Sequence, residues 1–390
     1  MNWDLILLLV FYLVLYTIFR VYRNKFEVQW RVFALYKTKI GIKLMDKIAI
    51  KFPKTLNILG NISIVIGFLG MGLTMFFLFK SAYNLIVIPT GPPGLAPVLP
   101  GVDVPGLPKL SFWHWIISIL IVATIHEFCH GIYSRLIKVK IKSTGFAFLG
   151  PLLAAFVEPD EKQLEKKKTR EQLQVISAGP FSNIILAFIL LALIGFVVSP
   201  IASHMVDVNG VQIASLDSNF QINKSGILVG DVIEEIDYVK IDNINDFDVL
   251  KKHNVGDLIN VKTDKGSYEI ELGNNEKNEA VLGVGISGYK TEVKEKYKKI
   301  YPVYAWIGLL LFWVFNISLG VGLFNLLPLG PVDGGRMFYV AALYFTKDKK
   351  KAMRYLSFIS FIIFALILFN MWSFIWKLIK FIASPLMMLL

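Results

Sequence analysis

Residues 126–130 read His-Glu-Phe-Cys-His, inside an apolar run from Phe112 to Ile137 that is long enough to cross a bilayer as a helix. Positions i and i+4 share one helical face. His126 and His130 therefore present two imidazoles to one point, a spacing that suits a single Zn2+ ion. Glu127 lies beside them, where a carboxylate can act as general base on a water at the metal. The chemistry available to these three residues is metal-assisted hydrolysis. The chain holds only five histidines, and a glutamate with two histidines is costly to bury unpaired in an apolar span. A polar contact between helices is the other use of the same side chains.

A catalytic zinc takes three protein ligands and leaves a fourth position for water. The acidic residue best placed to complete the set is Asp333, in Asn325-Leu-Leu-Pro-Leu-Gly-Pro-Val-Asp333-Gly334-Gly335. Pro328 and Pro331 end the preceding helix, and the glycines let the backbone approach closely, so a carboxylate is expected on a non-helical segment at membrane depth. Read alone, Val-Asp-Gly-Gly is an ordinary turn. Cys129 points away from the histidine face and is expected to pack. His114, His204 and His253 have no companion at ligand spacing.

Positioning these groups falls to a 390-residue chain that is 55% hydrophobic with mean hydropathy +0.57, too apolar for a water-soluble protein of this size. Six runs approach the roughly 20 apolar residues that a crossing needs: Trp3 to Phe19, Leu56 to Phe79, Phe112 to Ile137, Leu173 to Val198, Tyr304 to Leu327 and Tyr355 to Ile379. The first lacks a basic leader and a small-residue cleavage site, so it reads as a retained span. The net charge of +12 gathers beside apolar runs, in Arg20 to Lys54, Arg135 to Arg170 and Lys347 to Arg354. That distribution argues against nucleic acid as a partner and describes topology instead. With basic loops cytoplasmic, both termini and the insertion after the fourth run are expected outside a cell membrane, and the active site toward the cytoplasm. A single cysteine excludes an intrachain disulfide.

Two connectors stand out. Pro89 to Pro108 is crowded with proline and glycine and is expected to be irregular. Gly145 to Val157, apolar around a central Gly-Pro, suits either a re-entrant hairpin or an interfacial loop. From about Ala202 to Tyr289 the chain turns polar, with short alternating strands.

The His-Glu-x-x-His run, the later Asn-x-x-Pro-x-x-x-x-Asp-Gly segment and Ser177-Ala178-Gly179-Pro180-Phe-Ser-Asn183 between them resemble, in order, three motifs of the site-2 protease family of intramembrane zinc metalloproteases. The resemblance covers about Phe112 to Met337. It implies zinc held by His126, His130 and Asp333, water activation by Glu127, and Asn325 stabilising the oxyanion. A helix-ending cap is the other use of Asn325. The small residues of Ser177–Pro180 suit close packing on the histidine helix. The resemblance further implies single-span membrane proteins as substrates and the lipid bilayer as surroundings.

Gly226 to Val239 resembles a PDZ domain, and Asp246 to Lys252 looks like the helix flanking its groove, which implies peptide or protein chains bound by strand addition. A β-rich ectodomain without a ligand is the alternative.

The expected fold is an α-helical multi-span membrane protein of about six transmembrane helices, with an inserted small mixed α/β PDZ-like domain. Its parts are 1–110, the first two spans; 111–200 and 302–346, the catalytic core; 201–301, the PDZ-like domain; and 347–390, the last span. The expected function is intramembrane zinc endopeptidase. The rivals are a metal or proton transporter, disfavoured by the scarcity of polar residues in the first, second and sixth runs, and a non-proteolytic homologue that binds membrane proteins.

Overall fold

The structure is a computed structural model and describes residues 3–23, 26–29, 33–88, 94–100, 106–149, 152–275, 278–372, 374–376 and 379–380. The chain divides into two compact units: Met1–Ile194 with Leu309–Leu390, and Gly195–Gly308.

In the first unit α1 (Trp3–Val21), α2 (Ile42–Lys51) and α3 (Pro53–Val87) precede α4 (Phe112–Leu136), a short α5 (Glu161–Glu165) and α6 (Thr169–Leu193). Five helical stretches among the described residues are long and apolar enough to cross a membrane: Pro53–Val87, Phe112–Leu136, Thr169–Met205, Tyr301–Asn325 and Lys349–Asn370. The first expected span is α1, 19 residues long, whose Leu8–Val21 part is counted among the shorter apolar helices. The second expected span is longer than its apolar run. Pro53 sits in its first turn, where a missing N–H costs nothing. Of the Pro89 to Pro108 connector, residues 89–93 and 101–105 lie outside the described residues, and 94–100 has no regular structure.

α3 packs through a stripe of small residues. A Cβ on Gly67 would stand 2.6 Å from Met337 Cε, and one on Gly70 would stand 2.5 Å from Leu326 Cδ1. One turn before Gly67, Ser63 Oγ meets Ser177 Oγ at 2.7 Å, fully buried. Small side chains are what allow helix backbones this close in an apolar medium.

The Gly145–Val157 connector is a hairpin, longer than expected: β3 (Ile141–Leu149) and β4 (Leu152–Pro159). It does not stand alone. β1 (Phe26–Gln29) and β2 (Phe33–Thr38), from the basic stretch read as a loop, join it in an antiparallel sheet of order β1-β2-β3-β4. Phe26, Tyr36, Phe146 and Phe148 share one face, with Phe26 centred 5.4 Å from Tyr36 and 5.7 Å from Phe148. On the opposite face Lys37 Nζ lies 2.7 Å from Glu27 and 3.6 Å from Glu158. A Cβ on Gly145 would stand 1.9 Å from the Tyr36 carbonyl oxygen, so this crossing requires glycine.

A π-helical turn (Ile194–Val198) ends α6 and leads into α7 (Ser199–Met205) at the start of the second unit. Eight strands follow: β5 (Val206–Leu216), β6 (Val232–Ile236), β7 (Val239–Lys240), β8 (Leu258–Thr263), β9 (Gly266–Glu271), β10 (Gly273–Asn274), β11 (Ala280–Val281) and β12 (Val284–Val293). Its main sheet runs β12-β5-β6-β8-β9, with β7 on β6. The inward positions of the strands close a core that includes Ile213, Ile233, Ile236, Ile259 and Ile270, all buried. A 3₁₀ helix over Ile244–Lys252 lies where the sequence led us to expect a groove-flanking helix. Between it and β11–β12 lies a groove of about 1280 Å³, lined by Phe247, Leu250, Lys251, Leu282, Val284 and Ile286. The chain returns through α8 (Tyr301–Asn325), α9 (Asp333–Thr346) and α10 (Lys349–Asn370).

The groove-flanking helix is started by a carboxylate. Asp246 Oδ2 accepts from the backbone N–H groups of Asp242 and Asn243 at 2.8 and 2.9 Å, which holds its carboxyl below the usual range. A lowered carboxyl stabilises the fold above its unfolded value of about pH 4, and the benefit is lost as pH falls through the lowered value. Asp246→Ala is expected to cost about 1 kcal/mol at neutral pH. Amide hydrogen exchange over residues 242–252 of the intact protein should show faster opening in the variant, and a wild-type advantage that disappears in acid.

Candidate active site

The site is assembled on α4. His126, Glu127 and His130 lie in its second half, and their ligand atoms fall within 4.8 Å of one another. Asp333 comes from the first turn of α9. It is helical, where the sequence led us to expect irregular backbone. The reason is local packing. Cβ atoms on Gly334 and Gly335 would stand 2.3 Å from the Leu326 carbonyl oxygen and 2.1 Å from that of Leu329. Two glycines therefore let the helix begin directly against the turn that ends α8, and a carboxylate at its N-terminus is favoured by the helix dipole.

Asp333 Oδ2 lies 3.0 Å from His126 Nε2 and 3.2 Å from His130 Nε2, and the two nitrogens are 3.1 Å apart. All three side chains are largely buried. Donors roughly 2.0–2.1 Å from a tetrahedral zinc stand about 3.3 Å from one another. The triangle has close to this size, and its two imidazoles and one carboxylate are a donor set that first-row divalent metals accept. The outer nitrogens are also engaged. His130 Nδ1 donates to the Val175 carbonyl at 2.7 Å, and His126 Nδ1 lies 3.0 Å from the side-chain amide of Asn183. Partners of this kind fix the orientation of metal-binding imidazoles.

Glu127 is held differently. Its Oε2 accepts from the backbone N–H of Val157, near the end of β4, at 3.0 Å. The β3–β4 hairpin thus aims the carboxylate beside the two imidazoles. Asn325 is not brought to the cluster by any described hydrogen bond. Its Nδ2 donates to the Val321 carbonyl one turn back, at 3.0 Å. Cys129 packs with Tyr133, Val175 and Ala178, as expected of a small apolar side chain. His114 is buried and bonded to Ser111 at the start of α4, and His253 pairs with Asp237 at 3.3 Å.

Sequence reasoning placed Asn183 only at the end of the Ser177–Asn183 motif and gave no role to it, Val157 or Val175. Asn183 carried a signal, since it is a polar residue one turn beyond Gly179 in an apolar span. The other two act through main-chain atoms and carried none. Gly179 was read as a packing residue, and its place is closer to the chemistry than that. A Cβ there would stand 2.3 Å from His130 Nε2 and 2.6 Å from His126 Nε2. Gly179→Ala is expected to lower metal affinity by about tenfold or more by displacing both imidazoles. Gly72→Ala, where a Cβ meets nothing within 4 Å, should leave it unchanged. Metal content after dialysis against a graded chelator checks both.

An uncharacterized protein of Methanocaldococcus jannaschii, MJ0971, is 28% identical over 325 residues, covering 78% of this chain and 76% of its own length. Among solved structures, the chain is similar to the PDZ domain of the SdrC-like protein Lmo2051 from Listeria monocytogenes, at 23% identity and TM-score 0.19, covering 20% of this chain and 87% of that one. The PDZ domain of the SdrC-like protein Lin2157 from Listeria innocua has the same identity and score, covering 21% and 97%. Residues 114–369 match peptidase family M50. As this match runs from the first turn of α4 to the last turn of α10, over well over half of the sequence, the chain belongs to peptidase family M50, the site-2 protease family of membrane metallopeptidases.

Proposed function

We propose that this protein is a zinc endopeptidase that hydrolyses peptide bonds within or near the membrane-spanning segments of other proteins, in regulated intramembrane proteolysis. The observation that carries this reading is the triangle of His126, His130 and Asp333, closed to 3.0–3.2 Å on helices set among apolar spans, with Glu127 beside it. His126, His130 and Asp333 hold the zinc, and Glu127 serves as base. Bound there, zinc would polarise the scissile carbonyl and make water easier to deprotonate. Glu127 takes the proton from the attacking water and returns it to the leaving amine. Its second role requires the carboxylate to stay put between steps, which the Val157 N–H supports. Asn325 is proposed to donate to the developing oxyanion, after exchanging its bond to Val321 for one to substrate.

The groove between Ile244–Lys252 and β11–β12 is proposed to receive an extended segment of a protein partner, as in PDZ domains, adding it to β12 at the edge of the sheet. β12 pairs on one side only among the described residues, which leaves the other side for such a strand. The basic stretches favour an orientation with this module outside the cell and the metal toward the cytoplasm. The substrates are proposed to be single-span membrane proteins, bound in the bilayer with their helix locally unwound, since a helical peptide bond is shielded from attack.

The test is cleavage of a panel of tagged single-span proteins by the purified enzyme in detergent. Glu127→Gln should keep its zinc and lose about 10²–10⁴-fold in rate. His126→Ala should lose both zinc and activity. Asn325→Ala is expected to lower kcat by about 10²–10³-fold at unchanged KM. Undiminished cleavage by Glu127→Gln would overturn the assignment of the base. Activity that survives complete removal of zinc would overturn the metal reading.

A further inference from the structure

The second nitrogen of His126 faces a side chain that takes no part in the proposed reaction. Asn183, one turn beyond Gly179 on α6, is completely buried, with its amide nitrogen 3.0 Å from His126 Nδ1. Its Oδ1 is buried and has no hydrogen-bond partner among the described residues. Two features of α8 fix the backbone beneath it. Ser318 Oγ donates to the Asn183 carbonyl at 2.8 Å. A Cβ on Gly322 would come within 3.2 Å of Asn183 Cβ and of the Pro180 carbonyl oxygen. A polar side chain held this tightly against a metal-binding imidazole, in an apolar span, calls for a chemical reason.

The reason lies in the tautomers of imidazole. A neutral ring that offers the Nε2 lone pair to a metal carries its proton on Nδ1, and that N–H needs an acceptor. The NH₂ end of an amide cannot accept, so with that end toward Nδ1 the ring is driven to the tautomer protonated on Nε2, which cannot ligate. The oxygen end selects the ligating tautomer. A half-turn of the amide exchanges its two ends, and its hydrogen-bond chemistry decides between the two orientations. With Oδ1 toward His126, the unpartnered oxygen gains a donor in the Nδ1–H of the ligating tautomer. The two histidines then match, since His130 Nδ1 already faces an acceptor, the Val175 carbonyl at 2.7 Å.

We propose that Asn183 is a positioning residue for the metal: its amide oxygen accepts from His126 Nδ1–H and so selects the ring tautomer and orientation that present Nε2 to zinc. The role rests on the zinc reading above and concerns affinity and ligand geometry, with no contact to substrate. It also gives the small residues around it a shared purpose. Gly179 lets α6 reach the imidazoles, and Gly322 and Ser318 let α8 press Asn183 into place.

The experiment uses the full chain purified in detergent. Zinc affinity is measured by competition with a chromophoric chelator, and ligand geometry by the visible absorption of the Co2+-substituted protein. Asn183→Leu, close in volume but without an acceptor, is expected to weaken zinc binding by about 10–100-fold and to shift the Co2+ bands. Asn183→Asp supplies an acceptor that cannot turn a donor toward the ring, and is expected to bind zinc at least as tightly as wild type. A residue that only packs would give the opposite order, because a buried carboxylate is harder to accommodate than leucine. If Asn183→Leu fails to fold, the aspartate variant decides alone: wild-type zinc affinity supports the role, and loss of zinc overturns it. Affinity within about twofold of wild type in a folded Asn183→Leu protein also overturns it, while leaving the zinc protease reading intact. A wild-type protein that binds no zinc removes that reading itself, and this inference with it.

Discussion

Everything in the membrane unit answers to one requirement: a carboxylate and two imidazoles, separated by more than 200 residues in the chain, must meet within 3.2 Å inside apolar surroundings. Each of these groups is costly to bury alone. Together they satisfy one another and offer the donor set on which the proposed zinc reading rests. The helices that gather them must then approach more closely than ordinary side chains permit. The glycines of α3, α6 and α9 stand at those approaches, beside Met337, the imidazole nitrogens and the Leu326 and Leu329 carbonyls. Their common property is the absence of a Cβ.

A second constraint governs Glu127, the proposed base. Glu127 cannot join the ligands and still move protons, so it needs an anchor of its own, and the anchor comes from a β-sheet. That sheet gathers strands from two distant parts of the chain, with an aromatic face and a Glu27–Lys37–Glu158 cluster opposite. The aromatic face suits apolar surroundings and the charged one suits water. The sheet thus couples α4 to the N-terminal segment, which the motif-bearing core does not include.

Much of this was legible in the sequence, for identifiable reasons. Apolar runs revealed the long helices because a bilayer demands length and hydropathy from a continuous segment. His126 and His130 were legible because helical periodicity makes i and i+4 neighbours. Asp333 was legible because its proline–glycine setting is unusual after an apolar span. Strands β1 and β2 were not. They are four and six residues long and lie in a lysine- and arginine-rich stretch, and β2 pairs with residues more than 100 positions away. Short strands declare themselves through their partners, and no local pattern names a partner at that distance. Asp333 was expected in irregular backbone because Pro328 and Pro331 end the preceding helix and Val-Asp-Gly-Gly reads as a turn. Here the carbonyls of Leu326 and Leu329 occupy the space that larger side chains would need.

The bond between Val157 N–H and Glu127 has a consequence for how such a site can vary. Its donor belongs to the main chain, and nineteen of the twenty amino acids at position 157 would supply the same N–H. A substitution scan through this hairpin would therefore pass over one of the closest neighbours of the base, because only proline removes the group. The strand's side chains are free to diversify for whatever lies against them, while the atom that matters to Glu127 is inherited unchanged. Functional constraint of this kind is written in backbone geometry and is invisible in residue identity.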